Sequence, residues 1–214
     1  QKYAAIVLAA GSGKRMNSKV HKQYLIIQDR PVLYYSLKEF QDSAVDEIVL
    51  VVGKGEEKFC RKEIVDKYGI SKVKAIVEGG KERYHSVFEG LKQTSDADYV
   101  LIHDGARPFV NQDIIRRCML EVPEYQACVV GMPVKDTIKI ADEEGYAKQT
   151  PDRKNVWMIQ TPQTFSYALI YEAYEEMLKT EDTAITDDAM VLERIKGKKS
   201  KLIEGSYRNI KITT

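Results

Sequence analysis

Short apolar runs recur six times along the chain: Tyr3 to Leu8, Glu47 to Val52, Val73 to Val77, Tyr99 to His103, Cys128 to Met132 and Trp157 to Gln160. Bounded by Gly, Pro or Asp, they are too short for buried helices and read as buried strands. Between several of them apolar residues recur at helical spacing, as at Leu33, Leu37 and Phe40, and at Phe59, Ile64 and Tyr68 before Gly69. Asn111 and Thr186 are placed as N-caps, and Gly69 and Gly197 as C-terminal stops. Strand, helix and strand in alternation predict an α/β fold: a doubly wound, mostly parallel sheet covered on both faces.

One stretch breaks the rhythm. Thr137 to Thr150 alternates polar and apolar residues around Glu144-Gly145, the pattern of a two-stranded hairpin. Its faces carry Lys139, Asp142, Lys148 and Gln149, with little that could enter a core. An isolated hairpin is marginal in water, so it packs either on its own domain or on a second subunit.

Composition narrows the choice of partners. The 214 residues carry 33 Lys and Arg against 32 Asp and Glu, a formal charge of +1, with 43% apolar residues. At roughly 150 residues per domain, that length suits one large domain with an appendage, here residues 1–214 with a hairpin arm at about 136–153. A near-neutral chain lacks the positive excess that nucleic acid or a membrane surface would demand, so an anionic ligand must meet locally placed cations. Cys60, Cys118 and Cys128 have neither metal-site nor disulfide-framework spacing, which suits a reducing cytoplasm. No apolar stretch reaches the ~18 residues of a membrane span. The run from Tyr3 to Ala10 lacks a cleavage pattern and reads as a core strand.

Candidate chemistry sits where strands end. Leu8 to Met16 turns from the first strand into a glycine-rich loop in which Gly11 and Gly13 allow close backbone approach to a phosphate and Lys14 and Arg15 supply charge. Met16 stands where a dinucleotide fingerprint or a P-loop would need glycine, so the loop is neither. His103-Asp104-Gly105-Ala106-Arg107 follows the fourth strand. A carboxylate there can hold magnesium or a ribose hydroxyl, and Arg107 can grip a phosphate. Gly79-Gly80-Lys81-Glu82-Arg83 repeats the device after the third strand, with Ser86 one turn into a helix. In a parallel sheet these loops converge on one edge, the place where such folds bind nucleotides. His21, His85 and His103 have no metal-ligand spacing, and His103 reads as a packed, hydrogen-bonded residue.

These segments, with Lys22-Gln23, Asp136-Thr137-Ile138-Lys139, Gln160-Thr161-Pro162-Gln163, Thr186-Asp187-Asp188-Ala189 and Asn209-Ile210-Lys211, closely resemble the 2-C-methyl-D-erythritol 4-phosphate cytidylyltransferase family, in order and over nearly the whole chain. The resemblance implies a bacterial or plastid enzyme of the non-mevalonate isoprenoid pathway, with CTP, Mg²⁺ and methylerythritol phosphate as ligands, in a homodimer clasped by the hairpin arm. Matched by motif, Arg15 and Lys22 would stabilise the transition state, and Arg153 and Lys211 would position the acceptor phosphate. Arg107, Thr137, Thr161 and Thr186 would line the acceptor site. Ala9, Ala10, Gly11, Gly80, Lys81 and Ser86 would surround the nucleotide, with Asp104 facing the ribose or the magnesium. Lys81 stands where many members carry Asp, and Val20-His21 where proline is more usual.

The charges suit that chemistry. A phosphate monoester of about −2 must approach a triphosphate of about −4, and clustered Lys and Arg can offset the repulsion. The acceptor is already an anion, so no general base is needed, in keeping with a candidate site rich in cations and without a catalytic histidine. Two other readings stay open at this level. Ribitol 5-phosphate could be the acceptor at the same nucleotide site, and a nucleotide-binding regulator without chemistry would keep the glycine loops but have no need of Arg15, Lys22 and Lys211 together.

Overall fold

The computed structural model describes residues 1–11, 24–181 and 184–213. A seven-stranded sheet forms its centre. Its strands are β1 (Tyr3–Ala9), β4 (Glu47–Val52), β5 (Val73–Glu78), β6 (Tyr99–Asp104), β7 (Ala127–Pro133), β10 (Trp157–Ser166) and β11 (Lys201–Glu204). The order across the sheet is β11-β7-β10-β6-β1-β4-β5. All neighbours are parallel except β10, which runs antiparallel to both β6 and β7. Two small ribbons complete the strands: β2 (Ile26–Ile27) with β3 (Arg30–Pro31), and β8 (Ile140–Ala141) with β9 (Ala147–Gln149).

Helices cover both faces. On one side α1 (Val32–Gln41), α2 (Glu57–Cys60) and α4 (Gln112–Tyr125) bury Leu37, Cys60 and Ile114 against Val7, Leu50 and Leu101. On the other, α3 (Arg83–Lys92), α5 (Tyr167–Leu178) and α6 (Asp188–Lys196) bury Val87, Tyr174 and Leu192 against Ile6, Val49 and Ile102. Alternate residues of β1 thus enter opposite cores, so its whole run from Ala4 to Ala9 is buried, as a doubly covered parallel strand requires. Gly90 marks a close fit of helix on sheet: a Cβ there would lie 2.5 Å from Cγ2 of Ile6, so only glycine lets α3 pack this close to the sheet.

Several details depart from the sequence reading. The sixth apolar run is a ten-residue strand rather than four, with its register shifting between Ile159 and Gln163 around Pro162, which cannot donate to the ladder. The short edge strand β11 carries three exposed residues of four and gave no apolar signal. The N-cap of α6 is Asp187, whose Oδ1 accepts from Met190 N at 3.0 Å, one residue beyond Thr186. Asn111 caps α4 as expected, accepting from Ile114 N at 2.9 Å, and Gly197 closes α6 in the left-handed region. The helix before Gly69 widens into a π-helical segment over Arg61–Asp66 that buries Ile64 and Val65 and leaves Phe59 47% exposed. In the hairpin only Ile140 with Gln149 and Ala141 with Ala147 pair, and every residue from 141 to 150 is exposed.

Candidate functional site

The carboxyl edge of the parallel strands carries the site, and Asp104, the last residue of β6, is its centre. Arg83 Nε reaches Asp104 Oδ1 at 3.2 Å, while Lys211 Nζ and Arg107 Nε approach Oδ2 at 3.4 and 3.7 Å. Burial works against this carboxylate's charge, but Arg83, Lys211 and Arg107 outweigh it and hold the group well below the usual carboxylate range. Arg83 also pairs with Asp188, so three cations face two carboxylates and leave one positive charge over. The arrangement suits a polyanion.

Lys211 arrives on a strap that the fold clamps at several points. Gln160 Nε2 donates to the Ser206 carbonyl at 2.8 Å, and Asn209 Nδ2 donates to Gln160 Oε1 at 3.1 Å and to the Thr161 carbonyl at 2.9 Å. Arg107 Nη1 donates to the Asn209 carbonyl and Ile212 N to the Ala106 carbonyl, both at 2.8 Å. The Asp104–Arg107 turn is held from below by the buried Ser36 hydroxyl, which lies 3.0 Å from the carbonyls of Gly105 and Arg107.

Beneath Asp104 lies a closed polar chain. Asp104 N donates to Thr161 Oγ1 at 3.0 Å, and Thr161 Oγ1 lies 2.9 Å from His103 Nδ1. The Arg107 carbonyl, 3.1 Å from Nε2, can only accept, so the proton of a neutral ring sits on Nε2 and the Thr161 hydroxyl donates to Nδ1. Burial pushes the His103 pKa down to about 4, with Asp104 opposing, so the ring is neutral at pH 7. It is a structural residue, as read from the sequence. Thr161, 3% exposed, spends its hydroxyl on this chain.

Two clefts flank the cluster. The first is lined by Ala10, Gly11, Gly80, Lys81, Ser86 and Ala106, the ends of β1, β5 and β6. A Cβ on Gly79 would lie 2.3 Å from Ser86 Oγ and 2.5 Å from Ala10 Cβ, so glycine alone lets the β5 loop close on β1. Ser86 Oγ accepts from Gly80 N at 3.2 Å and fixes that loop on α3. The second cleft is lined by Arg107, Ile159, Gln160, Thr161, Thr186 and Asp187. Arg83, Asp104 and Lys211 line both and form the wall between them.

Most residues singled out in the sequence meet here: Ala10, Gly11, Gly80, Lys81 and Ser86 in the first cleft, Arg107, Thr161 and Thr186 in the second. The Ala9 side chain lies in the core below. Arg15 and Lys22 lie outside the described residues. Thr137 and Arg153 line neither cleft. Thr137 is exposed, and Arg153 Nη1 donates to the Lys135 carbonyl at 2.7 Å, at the base of the hairpin. Arg83, Gln160, Gln163, Asp188 and Asn209 stand inside the quoted motifs, yet spacing gave them no task because their partners lie far away in the chain.

Among the described residues no group of three or more His, Cys, Asp or Glu could hold a metal, and no helix is long and apolar enough to cross a membrane. Asp104 alone still fits magnesium, which takes one or two carboxylates and completes its shell with substrate phosphates and water. Among the described residues, its Oδ2 carries the two longer ion-pair contacts.

A doubly wound sheet with paired clefts about a cation-ringed carboxylate, at its carboxyl edge, defines a nucleotide-handling transferase of Rossmann-like type. The chain belongs to the 2-C-methyl-D-erythritol 4-phosphate cytidylyltransferase family, whose model matches residues 3–214. A Lachnospira eligens protein of that name is 53% identical, covering 98% of this chain and 93% of its own. One from Lachnoclostridium phytofermentans is 50% identical, over 100% of this chain and 92% of its own. The crystal structure of 4-diphosphocytidyl-2C-methyl-D-erythritol synthase from Anaerococcus prevotii superposes with a TM-score of 0.88 at 37% identity, covering 100% and 91% of the two chains. That of the Francisella tularensis cytidylyltransferase gives 0.82 at 27% identity, covering 100% and 95%.

Proposed function

We propose that this protein transfers the cytidylyl group of CTP to 2-C-methyl-D-erythritol 4-phosphate, releasing pyrophosphate, in the non-mevalonate route to isoprenoid precursors. The observation that carries the reading is the wall of Arg83, Asp104 and Lys211 between two clefts, in a chain of this family. An acceptor phosphate in the second cleft lies against the same cations as a triphosphate in the first. An acceptor phosphate oxygen forms the new bond to the α-phosphorus of CTP as the bond to pyrophosphate breaks. Because the acceptor is already an anion, the residues serve by charge and position rather than by proton transfer.

In this scheme Lys211 and Arg107 grip the acceptor phosphate. Gly11, Gly80, Lys81 and Ser86 hold the nucleotide, and Arg15 and Lys22 are assigned the transition-state charge by motif. Asp104 would hold Mg²⁺ together with triphosphate oxygens, and the ion would supply charge neutralisation. The hairpin, exposed from Lys139 to Thr150, fits an arm on a second copy of the chain, in a homodimeric cytoplasmic enzyme. Arg153 would then complete the partner's acceptor cleft. Pyrophosphate release from CTP with methylerythritol phosphate and ribitol 5-phosphate in parallel tests the reading. Turnover with ribitol 5-phosphate alone would replace the acceptor, and none with either would remove the reaction.

A further inference from the structure

Arg83 and Asp188 stand at the heart of the cluster, and the scheme above gives Arg83 only a share of the charge in the wall and Asp188 no task. Arg83 is the first residue of α3 and Asp188 the first of α6. Asp188 is wholly buried and lines neither cleft. A buried carboxylate is costly unless fully partnered. Arg83 Nη1 and Nη2 donate to its Oδ1 and Oδ2 at 3.0 and 3.1 Å, and the hydroxyl of the buried Tyr174 donates to Oδ1 as well. The third nitrogen of the same guanidinium, Nε, donates to Asp104 Oδ1 at 3.2 Å. One rigid planar group therefore fixes two carboxylates, one from β6 and one from α6, in a set relation that a lysine ammonium cannot reproduce.

The backbone of α6 is held at the same place. Gln163 Oε1 accepts from Asp188 N at 3.1 Å and Ala189 N at 3.0 Å, and its Nε2 donates to Asp187 Oδ2 at 3.0 Å. The two residues just before Asp188, Thr186 and Asp187, line the second cleft. Whatever sets Asp188 sets that wall.

We propose that Arg83 is a positioning residue for the acceptor side of the reaction. Through Asp188 it places the start of α6, and with it Thr186 and Asp187, while its Nε turns Asp104 so that Oδ2 faces Lys211. The inference rests on the reading of the two clefts given above.

Arg83→Lys keeps the charge and loses the fork, and Asp188→Asn keeps the shape and loses the charge in a residue no substrate can touch. Each is expected to lower kcat/KM for the acceptor about tenfold or more, with the KM for CTP changing less than about threefold. The double variant should be no worse than the poorer single one, since both break one contact. Hydrogen exchange at the amides of Asp188 and Ala189 should quicken in Arg83→Lys, with the β1 amides unchanged. If Asp188→Asn does not fold, Arg83→Lys carries the same comparisons. Unchanged exchange at those amides, folded variants with wild-type constants, or equal losses for CTP and acceptor each overturn the proposal. A wild-type enzyme that turns over neither acceptor overturns the functional reading and this inference with it. An active wild type with unaffected variants overturns the inference alone.

Discussion

At the scale of single residues, the site separates groups that face the clefts from groups that hold them. Lys211 faces both, and its ammonium lies 3.4 Å from Asp104. Lys211→Ala should lower kcat/KM for the acceptor by about 10² or more, as for removal of a preorganised cation, with little change in thermal midpoint. Steady-state kinetics on the folded variant check this, and wild-type constants would take Lys211 out of the site. His103 holds from below, and its buried ring has a pKa lowered from 6.5 to about 4. Between those values the unfolded chain binds a proton that the native one does not. Stability therefore falls as pH drops from about 6.5 to 4, by roughly 3 kcal/mol from this group, and is fully present above that window. Urea unfolding of the wild type and of His103→Asn across the window should give a shallower slope for the variant. Equal slopes would show that another group carries the acid sensitivity.

At the scale of elements, the nucleotide side depends on how closely the β5 loop meets β1. In Gly79→Ala the new methyl meets Ser86 Oγ at 2.3 Å and Ala10 Cβ at 2.5 Å, so the loop must move outward. A cost of roughly 1–3 kcal/mol in stability is expected for such overpacking, with weaker CTP binding. Denaturant unfolding and nucleotide titration calorimetry test the two effects, and unchanged CTP affinity would separate the loop from the nucleotide. The loops after β1, β5 and β6 were legible in the sequence, because a glycine or Asp-Gly after an apolar run is a local signal. Most of β10 was not. The sixth apolar run stopped at Gln160, yet Gln160, Thr161, Pro162 and Gln163 are all buried in the strand, the polar side chains among them being satisfied by Ser206, His103, Asp187 and α6.

At the scale of the whole molecule, the hairpin decides whether each site is complete within one chain. Ile140 and Tyr146 are 44% and 70% exposed, and a two-stranded ribbon with both faces in water has nothing to stabilise it. If a second copy covers it and Arg153 serves the partner's cleft, Arg153→Ala and Lys211→Ala chains should complement each other. Their heterodimer would hold one site with both lesions and one with neither. Mixing the two nearly inactive variants should therefore restore part of the activity, once subunit exchange is verified with differential tags. Exchange without recovery would assign Arg153 to its own chain.

The sequence by itself determined the layered α/β fold, the strand-end loops and the family, since hydrophobic period, glycine placement and linear motifs are local properties of the chain. Only the tertiary structure decided how the site is held. Arg83 meets Asp188 across 105 positions, Arg107 meets the Asn209 carbonyl across 102, and Thr161 meets His103 across 58. No local pattern marks such pairs. They form because a buried carboxylate, amide or hydroxyl must find its complement wherever the folded chain brings one within reach.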